Sequence, residues 1–432
     1  MTRINSTGLA LAAVVAAVAT ARGAGYALYE GSARGNVDAA GLAAGGGEPG
    51  ALYFNPATIT DLDGTQIQLG FSAIYPRGDV ETTNPYTGEK LRTETDENLW
   101  NIPSFFVTHA IGDSLVFGFG AFARFGLGAE IDQDWPGRYN SYKAIIQAVD
   151  LNPNLAWKVN DKLSVSAGVT IRHFDIELAQ KIDAAGLVGA RRRNDPAPSP
   201  YDIDQNLHGD DVGFGFDLGI QYRPVESLAM GAAYHSRIKF EVEGDAKWDK
   251  PAAVNAFAPA FFNDTGFSSV NWNPDLIMLA AAWDATERLT LAAGLTCTMW
   301  SVYDDLVIEF DTPALAGRDR VESVKGWHDA WRAAFSASYA LTDAFTARAG
   351  YVYDNSPLNG AHVDYLVPAD DRHIFGLGLG WDEGKAWALD VSYFYEIVED
   401  YTVSGRPAVG VFDGAFSSGT AHALAISATR RF

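Results

Sequence analysis

The side chains best able to do covalent chemistry are few and poorly spaced for it. His235-Ser236 is the one adjacent His-Ser pair. A serine nucleophile needs a base and an orienting group converging on it, whereas neighbours on a strand face opposite sides. Cys297 is the single cysteine, so neither an internal disulfide nor a thiolate metal cluster can form. No H-E-x-x-H, G-x-S-x-G or Walker A pattern occurs. Gly118-x-Gly120 and Gly376-x-Gly378-x-Gly380 are glycine-rich, but a dinucleotide loop needs a following helix, and these glycines fall at period two. Asp202, Asp204, Asp210 and Asp211 stand in what reads as a long loop. They are expected either as a solvated acidic surface or as a hold for Ca²⁺ or for divalent ions that bridge surface lipids. The chain is expected to be no enzyme and to carry no cofactor. Its net charge of -22 repels phosphate backbones and argues against a nucleic-acid partner.

What positions the remaining residues is read from the patterning. Arg3 followed by the apolar run Leu9 to Ala19 and by Ala19-Thr20-Ala21 has the build of a secretory signal peptide, too short to span a bilayer. Residues 1–23 are expected to be removed, with the mature start between Arg22 and Ala24. After residue 24 no run of about 18 apolar residues occurs, so any membrane crossing must use strands.

From Asp61 onward the dominant period is two. Val212, Phe214, Phe216, Leu218, Ile220 and Tyr222 alternate with Gly213, Gly215, Asp217, Gly219 and Gln221; Phe375, Leu377, Leu379 and Trp381 alternate with Gly376, Gly378 and Gly380. Segments of this kind start near residues 65, 99, 114, 148, 162, 212, 226, 270, 287, 329, 343, 371, 385 and 418. Several are longer than ordinary strands and match a tilted bilayer crossing. Gly112-Asp113, Asn160-Asp161, Thr342-Asp343 and Glu383-Gly384 make tight turns, whereas 179–211, 246–269, 311–326 and 355–370 read as long loops, the asymmetry of outer-membrane barrels. Closure is required because hydrocarbon leaves an open sheet edge unpaired. The expected fold is all-β, a transmembrane antiparallel barrel of about fourteen strands over residues 65–432, in the bacterial outer membrane. Trp100, Tyr222, Trp283, Trp300, Tyr353 and Trp381 are expected as interfacial girdles.

Residues 24–64 lack alternation and are rich in Gly and Ala. They read as a flexible tail or as a plug packed closely against the barrel walls. The terminal Phe432, preceded by alternating apolar residues, looks like the signal read by the barrel assembly machinery, although Arg430 stands where that pattern has an apolar residue.

The chain resembles the FadL/TodX family of outer-membrane hydrophobic-compound transporters. The resemblance rests on Gly25-Tyr26-Ala27-Leu28-Tyr29-Glu30-Gly31-Ser32-Ala33, on Asn55-Pro56-Ala57-Thr58-Ile59-Thr60, on Phe125-Gly126-Leu127-Gly128, on Asp329-Ala330-Trp331-Arg332 and on Pro368-Ala369-Asp370-Asp371-Arg372, in that order. It implies an N-terminal hatch inside the lumen that includes Asn55, Pro56 and Ala57. It further implies a ligand groove among the extracellular loops, a tighter lumen pocket, and a kink of the third strand at Phe125, Gly126 and Leu127 that opens a lateral gap. In fatty-acid members basic residues meet the ligand carboxylate. Here His328 stands where such members carry Lys, and Leu178 where another basic residue is expected; a neutral His holds an anion poorly. Arg332, Arg172 and Lys181 join His328 as headgroup candidates. The implied ligand is a long-chain fatty acid, or else a neutral alkane, aromatic or lipid-like compound, and outer-membrane lipid and lipopolysaccharide are implied as surroundings; the other reading is a porin for polar solutes, which needs an open lumen where residues 25–64 look like a plug.

Overall fold

Alternating apolar and small or polar residues give strands with one face for lipid and one for a lumen, and the computed structural model closes them into a barrel. It describes residues 25–313, 318–367 and 370–432; the expected signal peptide lies outside the described residues. Among these, fourteen antiparallel strands cross the wall: β1 (Thr65–Thr83), β2 (Trp100–Ile111), β3 (Leu115–Glu130), β4 (Lys143–Asn160), β5 (Leu163–Asp183), β6 (Asp202–Val225), β7 (Leu228–His235, then Ile238–Asp249), β8 (Thr265–Asn273, then Leu276–Asp284), β9 (Leu289–Thr298, then Asp305–Phe310), β10 (Arg320–Val324, then Ala330–Ala340), β11 (Phe345–Asp354), β12 (Arg372–Asp382), β13 (Trp387–Val398) and β14 (Gly414–Arg431). The ring closes where β1 pairs with β14 from Gln66↔Arg431 to Thr82↔Gly414. No helix among the described residues is long and apolar enough to cross a membrane.

The faces fall as the alternation demands. On β6, Val212, Phe214, Phe216, Leu218, Ile220 and Tyr222 are exposed outward, while Gly213, Asp217, Gly219 and Gln221 are buried inward. The outward rows supply the apolar belt that the hydrocarbon requires. Arg430 keeps its place on the outer face by lying over the rings of Trp387 (5.1 Å) and Phe432 (5.3 Å), so its stem stays apolar while its head reaches the interface. Phe432 donates its backbone N–H to Thr65 and seals the end of the β1–β14 seam.

Three expectations need correction. The long loop between β5 and β6 is shorter than 179–211, because β5 runs to Asp183 and β6 begins at Asp202. Above the bilayer both faces of a strand are wet or face loops, so the outward row turns polar (Asp204, Asn206, His208, Asp210) and the apolar alternation that betrays a strand vanishes. In the same way 246–249 and 265–269 extend β7 and β8. The four aspartates therefore sit on a strand rather than a loop, each partnered. Asp202 takes Arg138 (3.1 Å), Asp204 takes Lys181 (2.8 Å), Asp210 takes His173 (3.1 Å), and Asp211 accepts the Glu241 N–H (2.7 Å). No group of carboxylates, histidines or cysteine among the described residues is arranged to hold a metal ion. Finally, Trp300 is no girdle residue. The 3₁₀ turn Trp300–Val302 interrupts β9 and turns this side chain fully inward.

Residues 25–62 fill the lumen. They form a helix α1 (Gly35–Gly45) and two 3₁₀ turns, Pro49–Tyr53 and Pro56–Asp61. The helix buries Val37, Ala40, Leu42, Ala43 and Ala44 around its circumference, as a helix enclosed on every side must. It kinks at Asp38 (φ -126°, ψ 43°), whose carboxylate accepts the Ser336 hydroxyl from the wall at 2.6 Å.

Candidate functional site

Three features bear on transport: how the plug is seated, where the wall is broken, and what the loops enclose. The Asn-Pro-Ala triplet lies at the seat. Asn55 is fully buried and caps the second 3₁₀ turn by accepting from Ala57 N–H at 3.2 Å. Its amide nitrogen donates to the carbonyls of Ala43 (2.8 Å) in the plug and Ile220 (3.0 Å) in β6. Pro56 occupies the first position of the turn, where a missing N–H costs nothing. One side chain thus joins helix, turn and wall. His235, the sequence's only candidate base beside a serine, is spent here: Nδ1 bonds Asp217 and Nε2 lies 3.4 Å from the Phe54 carbonyl. Ser236 turns the other way and accepts the Phe216 N–H.

The wall is broken at the third strand. β2 pairs with β3 only from Phe105↔Ala121 to Ile111↔Leu115. Beyond that point Trp100–Ser104 keep β1 as partner, and β3 keeps β4, with its register slipping between Ala123 and Phe125. The freed edge of β3 would be a buried orphan, and the plug's first residues take it. Leu28 N–H donates to the Arg124 carbonyl and Gly126 N–H to the Tyr26 carbonyl, both at 2.9 Å, with Ala27 bridged to Phe125. Every residue from Gly120 to Ala129 is buried, which is why the alternation fails there. The far end of the break is closed by an Asn98–Glu130 hydrogen bond and the Thr95–Ile131 bridge. Arg124, which the sequence reading did not single out, stacks on Tyr53 at 4.4 Å and donates to its carbonyl at 2.9 Å. Phe125, Gly126 and Leu127 follow directly on the register slip.

On the rim of long loops is a cavity of about 540 Å³. Leu178, Leu207, Trp248, Phe262, Ile308 and Phe310 give it an apolar wall, and Lys181, Lys325, Asp364 and Arg406 also line it. The loops over it are tied to one another: Asn194 donates to the Pro407 carbonyl at 2.9 Å, and Tyr365 accepts at its hydroxyl from Phe412 N–H at 3.0 Å. Burial pushes the hydroxyls of Tyr139 and Tyr365 well above the usual phenol range, so both remain neutral hydrogen-bonding groups. One continuous apolar cluster runs from the cavity wall (Leu207, Trp248, Phe310) through Phe174, Phe240 and Trp300 to Tyr26, Phe125 and Leu127 at the break.

Of the four headgroup candidates, only Lys181 lines the cavity. His328 is exposed, its backbone N–H given to the Pro357 carbonyl. Arg172 clasps Asp150 with two nitrogens (2.5 and 2.7 Å) beneath the Phe125 ring. Arg332 bonds Asp354 at 3.1 Å and lies over Tyr29 at 4.0 Å. Lys325 and Asp364 went unnoticed in the sequence, since nothing local marks a lysine that will be buried against a carboxylate thirty-nine residues away.

Comparison with known proteins agrees with this fold. The model of the outer membrane protein transport proteins (OMPP1/FadL/TodX) matches residues 12–432. A long-chain fatty acid transport protein of Salmonella typhi is 25% identical over 406 residues, spanning 90% of this chain and 91% of its own length. A 47 kDa outer membrane protein of Pasteurella multocida is 28% identical over 85% of this chain and 86% of its own. Among solved structures, a Pseudomonas aeruginosa FadL homologue superposes with a TM-score of 0.78 over 95% of this chain and 100% of its own, at 22% identity. The P. putida toluene transporter TodX gives 0.68 over 91% and 98%, at 18% identity. With a match across nearly its whole length, the chain belongs to the OMPP1/FadL/TodX family of outer-membrane transport proteins.

Proposed function

We propose that this barrel takes hydrophobic small molecules, long-chain fatty acids or related compounds, across the outer membrane without opening a water-filled pore. Ligand is captured in the loop cavity, moves down the apolar cluster into the lumen, and leaves sideways through the break beside β3. The observation that carries this reading is the unbroken apolar run from Trp248 and Phe310 to Phe125 and Leu127. A relative named for long-chain fatty acids and a structural neighbour named for toluene support a nonpolar cargo.

Energetically, burial contributes roughly 0.8 kcal/mol per methylene, so a chain of about sixteen carbons gains on the order of 10 kcal/mol before ordering costs. Release is then the harder step. Sideways exit exchanges protein contacts for lipid contacts, so the tail never crosses water. The plug's Tyr26–Leu28 segment, held to β3 by two backbone hydrogen bonds, is the part that must move. In the same reading residues 1–23 are removed on export, lipopolysaccharide surrounds the loop rim, and Phe432 is what the assembly machinery reads.

Deleting Phe125–Gly128 tests the route. Four residues is an even number, so the inward and outward faces of β3 are kept. Uptake of a labelled long-chain fatty acid by cells carrying the deletion should drop to the level of cells lacking the protein. Binding of the same ligand by the purified barrel should persist. Uptake that stays at the wild-type rate would sink the lateral route.

A further inference from the structure

Three cations beside the ligand path are already matched by carboxylates. Lys181 Nζ lies 2.8 Å from Asp204, Arg172 holds Asp150, and Arg332 holds Asp354. One pair stands apart because both partners line the loop cavity itself. Lys325 Nζ bonds the Asp364 carboxylate, and the two side chains are 4% and 9% exposed. Lys325 is anchored at its base, where its own N–H and that of Gly326 both donate to the Asp304 carbonyl, and Trp327 beyond it is buried among Tyr26, Trp300 and Tyr303. A buried ammonium on an apolar wall is what a ligand carboxylate would need. Here Asp364 already occupies it.

We infer that Asp364 sets the charge preference of this cavity: by neutralising Lys325 it makes the cavity accept uncharged hydrophobic molecules, such as hydrocarbons and alcohols, in preference to long-chain carboxylates. The inference rests on the uptake reading of the same cavity. A carboxylate entering it must shed its water and meets the Asp364 charge beside the buried ammonium, whereas a hydrocarbon incurs neither cost and an alcohol only the smaller cost of desolvating a hydroxyl. The other cations of the lining are engaged with groups of the protein or lie at the rim. Arg406 donates to the carbonyls of His362 and Val363. Arg193 and Arg318 are exposed at the rim, where water and salt weaken their pull. Glu322 adds negative charge to the lining, whereas Asp183 is paired with Arg191 at 3.8 Å.

The test compares oleyl alcohol with oleate, two probes of one chain length that differ at the head, for binding to the purified full-length barrel near neutral pH. Wild type should bind the alcohol at least as tightly as the acid. Asp364→Asn should strengthen oleate binding about tenfold, as a freed buried charge-assisted bond allows, and leave the alcohol unchanged. Because that variant strands a buried charge, the double variant Lys325→Met/Asp364→Leu is measured beside it, with heat-modifiable migration as the check on folding. It should keep the alcohol preference. Wild type binding oleate about tenfold tighter than the alcohol, or an alcohol-to-oleate ratio unmoved in Asp364→Asn, overturns the charge assignment while leaving the uptake reading standing. If wild type binds neither probe, the uptake reading fails and takes this one with it.

Discussion

Gly231→Leu should turn a closed barrel into an ion-conducting one. Gly231 is on β7 facing the lumen, and a Cβ there would sit 1.9 Å from the Ala43 carbonyl oxygen of the plug and 2.9 Å from the Asn55 amide. The first of these is backbone, which cannot swing aside as a flexible side chain does. The wall itself is not threatened, because the ladder of Gly231 with Ala280 on one side and Gln221 on the other uses only main-chain groups. The barrel is therefore expected to form and to show heat-modifiable migration, with the plug unable to seat. Wild-type protein in planar bilayers should conduct little. Gly231→Leu should show the steady discrete steps of an open pore, since the lumen of a barrel this wide holds water once it is not filled by side chains and plug. Gly360→Ala, where an added Cβ meets nothing within 4 Å, is the matched control. A Gly231→Leu barrel as silent as wild type would mean that residues 25–62 do not block the path.

The second large effect concerns the face that meets lipid. Leu377 lies at the middle of β12, paired with Ala349 and Tyr393, and is 64% exposed. In a water-soluble protein an arginine there would be harmless. In a bilayer, Leu377→Arg should destabilise the barrel by about 2–4 kcal/mol, because the guanidinium is held near the centre of the hydrocarbon. Leu341 is equally apolar but sits at the β10–β11 turn, so Leu341→Arg should cost no more than about 1 kcal/mol at the interface. Reversible guanidinium unfolding from lipid vesicles measures both. Equal and small costs at the two positions would contradict the assignment of this face to lipid.

The plug and the break depend on one another. With β3 unpaired from β2 over Phe122–Glu130, Tyr26–Leu28 supply main-chain partners to Arg124 and Gly126 while Asp96 N–H bonds the Glu130 carbonyl, and a plug without that edge would lose its first anchor. Tyr26–Leu28 is also fully buried, with Tyr26 packed against Phe125, Trp300, Tyr303 and Trp327. Two backbone hydrogen bonds contribute only about 1 kcal/mol each net of water, so most of the hold on this segment is its buried apolar contact.

The amino-acid sequence by itself determined the barrel. Lipid on one side of a strand and a packed lumen on the other impose a period of two on each crossing, and that signal is local. Strand starts expected near 65, 99, 114 and 162 fall at Thr65, Trp100, Leu115 and Leu163. The same rule fails as soon as its cause is absent. At Ala121–Ala129 both faces of β3 are covered, and at Asp202–Asp211 water replaces lipid outside, so neither stretch alternates as a crossing should. Tertiary structure alone decided which cations survive as ligand contacts. Arg172, Arg332 and Lys325 look alike in sequence, and what each can do depends on a carboxylate brought from another strand or loop: Asp150, Asp354 or Asp364. It also decided where the cavity lies, since Leu178, Trp248, Phe310, Lys325 and Asp364 meet only once the ring is closed. Alternation is dictated by the solvent on each side of one strand; a partner is dictated by closure, which no short stretch of chain encodes.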